Sequence, residues 1–169
     1  MGKNSTIAIA GETVTIRPIR LTDIAMESDF IHRLSSETKH FRFLAGVRAL
    51  PAEELARLCD VDMKHSMAYV ATVRKNGQEV EIGVSRYAPN SHADVREVAV
   101  TVADEWQHKG LGASLMNQVI QTARQQGIKQ LYSVNLSNDA AMSALANELH
   151  MSSILDPSDP NQTIHSLTL

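Results

Sequence analysis

Residues 98–112 constrain this chain more than any other stretch. Val98-Ala99-Val100-Thr101-Val102 is β-branched and reads as a strand, and Ala103-Asp104-Glu105-Trp106 is a short connector. Gln107-His108-Lys109-Gly110-Leu111-Gly112 then reads as a glycine-bearing turn that opens a helix. Leu115, Met116, Val119, Ile120 and Ala123 recur at helical spacing, and Gly127 is placed to stop that helix. Such a turn aims several backbone N–H groups at one point and adds the positive end of the helix dipole. It suits a phosphate or pyrophosphate, although a plain strand-to-helix turn uses glycines too. It is not a P-loop, because no Lys-Ser or Lys-Thr follows the second glycine. Nor is it a dinucleotide fingerprint, because the third glycine and the βαβ unit are absent.

The rest of the chain alternates short strands and helices. Strands are expected at Val14–Ile19, Met67–Val73, Val80–Tyr87, Val95–Val102, Gln130–Leu136 and Thr163–Leu169, with Lys75-Asn76-Gly77-Gln78 as a hairpin. Helices are expected from Thr22 or Asp23 through Leu34, at Pro51–Leu55, and from Ala140 to Leu149 with Asn138 or Asp139 as cap. An antiparallel meander followed by helix, strand, helix and strand is an α+β arrangement, and 169 residues without a linker or repeat are expected to form a single domain.

A net charge of −3 gives no reason to invoke nucleic acid or an anionic membrane. No secretory leader and no apolar run long enough to span a bilayer are evident, so a cytoplasmic location is expected. The Met1-Gly2 start with Thr6 formally fits a myristoylation pattern. Cys59 is the only cysteine and sits in an apolar run, which reads as an inert buried thiol. The seven histidines are scattered without metal-site spacing, so no metal is expected. Residues 131–169 contain no Lys or Arg but carry Asp139, Glu148, Asp156 and Asp159, either an ordinary solvated face or one that attracts a cation.

At Gln107-x-x-Gly110-x-Gly112 the chain resembles the acetyl-coenzyme A signature of the GNAT N-acetyltransferases. Ile16-Arg17-Pro18-Ile19-Arg20, Phe41-Arg42-Phe43, Leu55–Cys59, Glu97–Val100 and Asp104-Glu105-Trp106-Gln107 most resemble the acetyltransferase domain of Pat-type bacterial protein lysine acetyltransferases. The resemblance implies a GNAT-like central mixed, mostly antiparallel sheet flanked by helices, over residues 1–169. It implies acetyl-coenzyme A as co-substrate. The backbone of Val98–Val102 (Val100, Thr101 and Val102 above all) would hold the pantetheine arm. The amides of Gln107, His108, Lys109, Gly110, Leu111 and Gly112 would hold the pyrophosphate. Lys109 would add charge or stand as an ordinary surface lysine, and Asn138 or Asp139 would make the coenzyme contact that an Asn makes in the family. Many members carry a Tyr where this chain has Ala146, a departure shared with Pat-like domains. His150-Met151 replaces the usual Gly-Phe, which unsettles the local loop. Regulation through a large partner domain of the kind Pat enzymes often have is not expected within these residues.

Acetyl transfer to an amine needs a proton acceptor, because a free lysine is protonated at neutral pH. Glu97 is the candidate general base. With period 2 it shares a strand face with Val95, Ala99 and Thr101, and the small Ala99 and Thr101 leave room for a ligand. Its position also matches that of the proposed base in Pat-like domains, and partial burial would raise its pKa. The competing role is a strand Glu paired with Arg96 or Arg86. Tyr87 is expected either to touch the acceptor or to pack in the core. The acceptor is expected to be a small amine or a protein lysine, the enzyme a monomer or homodimer. The alternative is an acetyl-coenzyme A-binding regulatory module without turnover.

Overall fold

The structure is a computed structural model and describes residues 4–43 and 50–169. The Met1-Gly2 motif lies outside the described residues. Eight strands form one sheet: β1 (Ser5–Ile9), β2 (Glu12–Pro18), β3 (Met67–Lys75), β4 (Gln78–Pro89), β5 (Val95–Val102), β6 (Gln130–Leu136), β7 (Ser152–Asp156) and β8 (Asp159–Thr168). Their spatial order is β1-β2-β3-β4-β5-β6-β8-β7. Every neighbouring pair is antiparallel except β5 and β6, which are joined through a helical crossover and run parallel. The helices are α1 (Ile24–Arg33), α2 (Ser36–Phe43), α3 (Ala52–Cys59), α4 (Leu111–Gln125) and α5 (Ala140–Glu148).

Period 2 divides the inner strands between two faces. Tyr69, Ser85 and Tyr87 turn to α4: the Tyr69 hydroxyl meets Thr122 Oγ1 at 2.8 Å, Ser85 Oγ donates to the Leu115 carbonyl at 3.0 Å, and Tyr87 donates to Gln126. Tyr87 is buried there and is a core residue, so its expected alternative as an acceptor contact falls away. Val84 and Arg86 turn the other way, toward α1 and α3. Cys59 is buried beneath that layer, and burial pushes its thiol up to about 12.

Gly83 sets how closely α4 lies on the sheet. A Cβ built there would stand 2.9 Å from Leu115 Cδ1 and 3.2 Å from the Thr101 carbonyl oxygen. Gly83→Ala should therefore lower stability by about 1–3 kcal/mol, read as a drop in denaturation midpoint at unchanged slope. At the end of α5, His150 adopts φ +57°, the left-handed conformation that glycine usually supplies, and Met151 is buried. The loop thus keeps a glycine-like backbone despite the His-Met sequence, and Met151 fills the apolar position.

Candidate active site

The site comes from a parting of two strands. β4 follows β5 along its whole length, from Pro89↔Arg96 to Gly83↔Val102. β6 pairs with β5 only at Val95, Arg96 and Glu97. Past Glu97 the sheet opens, and a pocket of about 540 Å³ occupies the gap. It is lined by 97–102 of β5, Ser133–Asn135 of β6, the start of α4, α5 and, on the other face, Glu37, Thr38, Phe41 and Arg42 of α2.

Backbone parity fixes what β5 offers to this gap. The Ala103 N–H donates to the Ile82 carbonyl at 2.9 Å, so odd-numbered positions direct their backbone groups toward β4. Lys129 and Gln130 both donate to the Asp94 carbonyl, at 2.9 and 3.2 Å, so even-numbered positions face β6. Val100 and Val102 lie beyond the last rung, Glu97↔Tyr132, and present their backbone to the pocket with no strand beside them. The Val102 carbonyl accepts from Gln107 Nε2 at 3.1 Å. The rest of that edge is suited to an extended ligand that carries its own amides.

The turn at Gln107–Gly112 closes one end of the gap. His108 and Gly110 have φ of +58° and +84°, and Gly110 is the N-cap of α4 without a side-chain cap. The first intrahelical bond is Ser114 N–H to the Gly110 carbonyl at 3.1 Å, so the amides of Leu111, Gly112 and Ala113 point out of the helix end. Gln107, His108, Gly110 and Gly112 line the pocket; Lys109 and Leu111 do not. The Leu111 side chain is fully buried in the core. Lys109 Nζ folds back onto the Glu105 carbonyl at 2.7 Å and lies 5.6 Å from the centroid of the Trp106 ring. In this structure Lys109 and Leu111 present their backbone amides, not their side chains, to the turn.

Asn138 and Asp139 both line the pocket, in different states. Asp139 is buried and caps α5, its Oδ1 accepting from the Met142 N–H at 2.9 Å. Asn138 is exposed. Ala146 is fully buried, so no proton-donating side chain stands at that position.

Glu97, Ala99 and Thr101 share the face that looks toward α2. Glu97 is exposed, not partly buried as expected. Neither expected arginine partner reaches it. Arg96 donates to the carbonyls of His65, Ala93 and Val95, and Arg86 donates to Glu27 and to the Leu58 carbonyl. The polar neighbour of Glu97 is Tyr132, whose hydroxyl stands 3.5 Å from Oε2 and accepts from Asn90 Nδ2 at 3.2 Å. Arg42 projects from α2 into the same pocket, 5.1 Å over the Phe43 ring, with its pKa brought down to about 10 by burial and by Arg86. The α2 wall carries little apolar periodicity, and only its Phe41-Arg42-Phe43 segment stood out in the sequence. Among the described residues no group of three or more His, Cys, Asp or Glu side chains is placed to hold a metal, and no helix is long and apolar enough to cross a membrane.

Comparison with known proteins agrees with this geometry. The profile of the acetyltransferase (GNAT) family matches residues 29–150. Acetyltransferase PA5475 of Pseudomonas aeruginosa is 43% identical over 159 residues, covering 94% of this chain and 86% of that protein. Acetyltransferase Pat of Mycolicibacterium smegmatis is 30% identical over 140 residues, covering 82% of this chain and 41% of that protein. Among solved structures, the GNAT domain of S. lividans PAT superposes with a TM-score of 0.88 at 23% identity, covering 98% of this chain and 97% of that one. The chain belongs to the GNAT family of acetyl-coenzyme A-dependent N-acetyltransferases.

Proposed function

We propose that this enzyme moves the acetyl group of acetyl-coenzyme A directly onto a primary amine, with Glu97 as general base. The observation that carries the reading is the gap beyond Glu97, where the free edge of Val100 and Val102 leads from a carboxylate at one end to the outward amides of α4 at the other. The pantetheine arm has amides of its own and fits beside that edge as an added strand would. The pyrophosphate fits the turn at Gln107–Gly112, held by backbone N–H groups and the helix dipole. Asn138, exposed at the rim, is the side chain proposed to reach the coenzyme, since Asp139 is engaged in its cap.

In this arrangement the thioester carbonyl lies near the Glu97 end. Glu97 takes a proton from the bound ammonium. The freed nitrogen attacks the carbonyl carbon, the C–N bond forms, the C–S bond breaks and the thiolate departs. With Ala146 where other members have Tyr, the thiolate takes its proton from water or from the acceptor nitrogen. Holding both reactants in line supplies much of the rate. Glu37 and Glu97 on the acceptor face favour a cationic amine, and the Pat-like segments favour a protein lysine among such amines. The enzyme is proposed to work in the cytoplasm, as a monomer or homodimer. A regulatory module without turnover is the weaker reading, because the departures that suggested it have structural duties: Asp139 caps α5 and His150 forms its terminal turn.

The acceptor class is tested by following coenzyme A thiol release with lysine peptides and small amines side by side. Transfer to lysine peptides is expected. Acetyl-coenzyme A binding without transfer to any amine would favour the regulatory module.

Gly112 gives a separate test of the donor site. A Cβ there would meet only Leu145 at 3.6 Å and Val102 at 3.8 Å, ordinary contact distances, so the protein itself has room for alanine. Any need for glycine comes from the ligand. Gly112→Ala should fold with unchanged thermal stability yet bind acetyl-coenzyme A about tenfold or more weakly by calorimetry, and Gly112→Glu should abolish binding through bulk and negative charge. Wild-type affinity in Gly112→Glu would move the pyrophosphate away from this turn.

A further inference from the structure

We propose that Asp104 is a positioning residue for the acceptor: it fastens α2, the wall facing Glu97, to the donor-binding turn, so that donor binding sets the acceptor side. The inference rests on the N-acetyltransferase reading above.

Asp104 begins the single 3-10 turn between β5 and the donor turn. Its Oδ2 accepts from the Ser35 N–H at 2.9 Å, and its Oδ1 accepts from Ser35 Oγ at 2.6 Å and Thr38 Oγ1 at 2.7 Å. Burial opposes ionisation of this carboxyl, yet the hydrogen bonds from Ser35 and Thr38 hold its pKa below the ordinary value. Gln107 completes the strap. Its Nε2 donates both to Thr38 Oγ1 at 3.1 Å and to the Val102 carbonyl at 3.1 Å. A ligand lying along Val100 and Val102 therefore meets Gln107, and Gln107 already holds α2.

The helix has little else to fix it. None of its side chains is fully buried, and only Phe43 packs partly against the core. Its inner face nevertheless supplies Glu37, Thr38, Phe41 and Arg42 to the pocket. With Phe43 as its partial apolar contact, the helix takes much of its position from its polar ties, and these converge on Asp104.

The test combines kinetics with hydrogen exchange on Asp104→Ala, Asp104→Asn and Thr38→Val. Asp104→Ala should raise the acceptor KM about tenfold or more, the worth of one to two charge-assisted hydrogen bonds, with a smaller fall in kcat and acetyl-coenzyme A affinity within about threefold of wild type. Asp104→Asn keeps one accepting oxygen for the two hydroxyls and should recover part of the loss; Thr38→Val should show a milder rise in acceptor KM. Exchange of the α2 amides should slow on adding acetyl-coenzyme A to wild type, and much less in Asp104→Ala. An unchanged acceptor KM overturns the proposal, as does equal loss of donor and acceptor affinity without rescue by Asn. If wild type transfers to no amine but binds the donor, the function reading fails while the exchange experiment still decides whether Asp104 couples α2 to the donor turn.

Discussion

Glu97→Gln should lower turnover by about 10²–10⁴-fold at neutral pH and leave acetyl-coenzyme A affinity unchanged. Gln keeps the size of the side chain and loses the proton acceptor. The residue stands where the paired part of β5 and β6 ends, on the α2 face, with Arg86 and Arg96 both committed elsewhere. Neither of these two guanidiniums pairs with its carboxylate; the cation within electrostatic reach of it is Arg42, which lines the same pocket. The deficit should shrink as the pH approaches that at which a lysine amine deprotonates unaided, about 10.4, because the variant then receives an amine that needs no base. A pH series of kcat/KM for both proteins reads this directly. Near-equal turnover at neutral pH would remove Glu97 as the base, and a constant deficit up to pH 10 would assign it a positioning role.

The second large effect is expected in the buried charge cluster behind the site. Arg86 donates to Glu27 Oε1 at 2.9 Å, with side chains only 12% and 2% exposed. Removing the guanidinium leaves a buried carboxylate without its counter-charge, so Arg86→Met should cost about 3–5 kcal/mol in urea unfolding. Glu81 behaves in the opposite sense. It is fully buried beside Glu27, and neither of its carboxyl oxygens has a hydrogen-bond partner among the described residues. Burial, then the charge of Glu27, holds its pKa well above the ordinary 4.5. Unfolded, it ionises near that ordinary value. From there up to the raised folded pKa the native state binds one proton more than the unfolded state, and stability falls as pH rises. Glu81→Gln removes this proton uptake. It should unfold at higher urea than wild type at pH 8, with the difference closing toward pH 4. A wild-type pH profile in Glu81→Gln would mean that Glu81 is already ionised in the fold. Loss of less than about 1 kcal/mol in Arg86→Met would mean that Glu27 gives up its charge at little cost.

Much of the fold was legible because its signals are local. The period-2 strands at 80–87 and 95–102, the Asn76-Gly77 hairpin and the helix over 111–125 follow from side-chain alternation, turn chemistry and helical spacing. The elements that escaped lack such signals. β1 returns through Ala10-Gly11, where Ala10 takes φ +52° without being a turn-former by type. β7 is an edge strand whose Ser152–Leu155 are all exposed, so no apolar alternation marks it. α2 buries none of its residues and is held by hydrogen bonds to Asp104, a residue 66–69 positions away.

The site divides in the same way. Backbone-binding residues could be named from the strand and the glycines, because that chemistry needs a turn and not a particular side chain. Where the side chains of Lys109 and Leu111 go is not legible from the turn: one folds onto the Glu105 carbonyl and the other into the core. The Asn138 and Asp139 alternatives could be separated only once the α5 cap was seen. The α2 wall and its strap are long-range features with no local period to betray them.

Amide hydrogen exchange of Val100 and Val102, followed by NMR with and without coenzyme A, tests the central claim most directly. The amides of Ala99 and Thr101 face β4 and should be protected in both states, whereas those of Val100 and Val102 face the gap. Binding of the pantetheine arm along β5 predicts that coenzyme A slows exchange at Val100, Val102 or both, and at Leu111–Ala113, while Ala99 and Thr101 hold steady. Saturating coenzyme A that leaves Val100 and Val102 exchanging as in the free protein would contradict the account, and would place the donor away from the opening between β5 and β6.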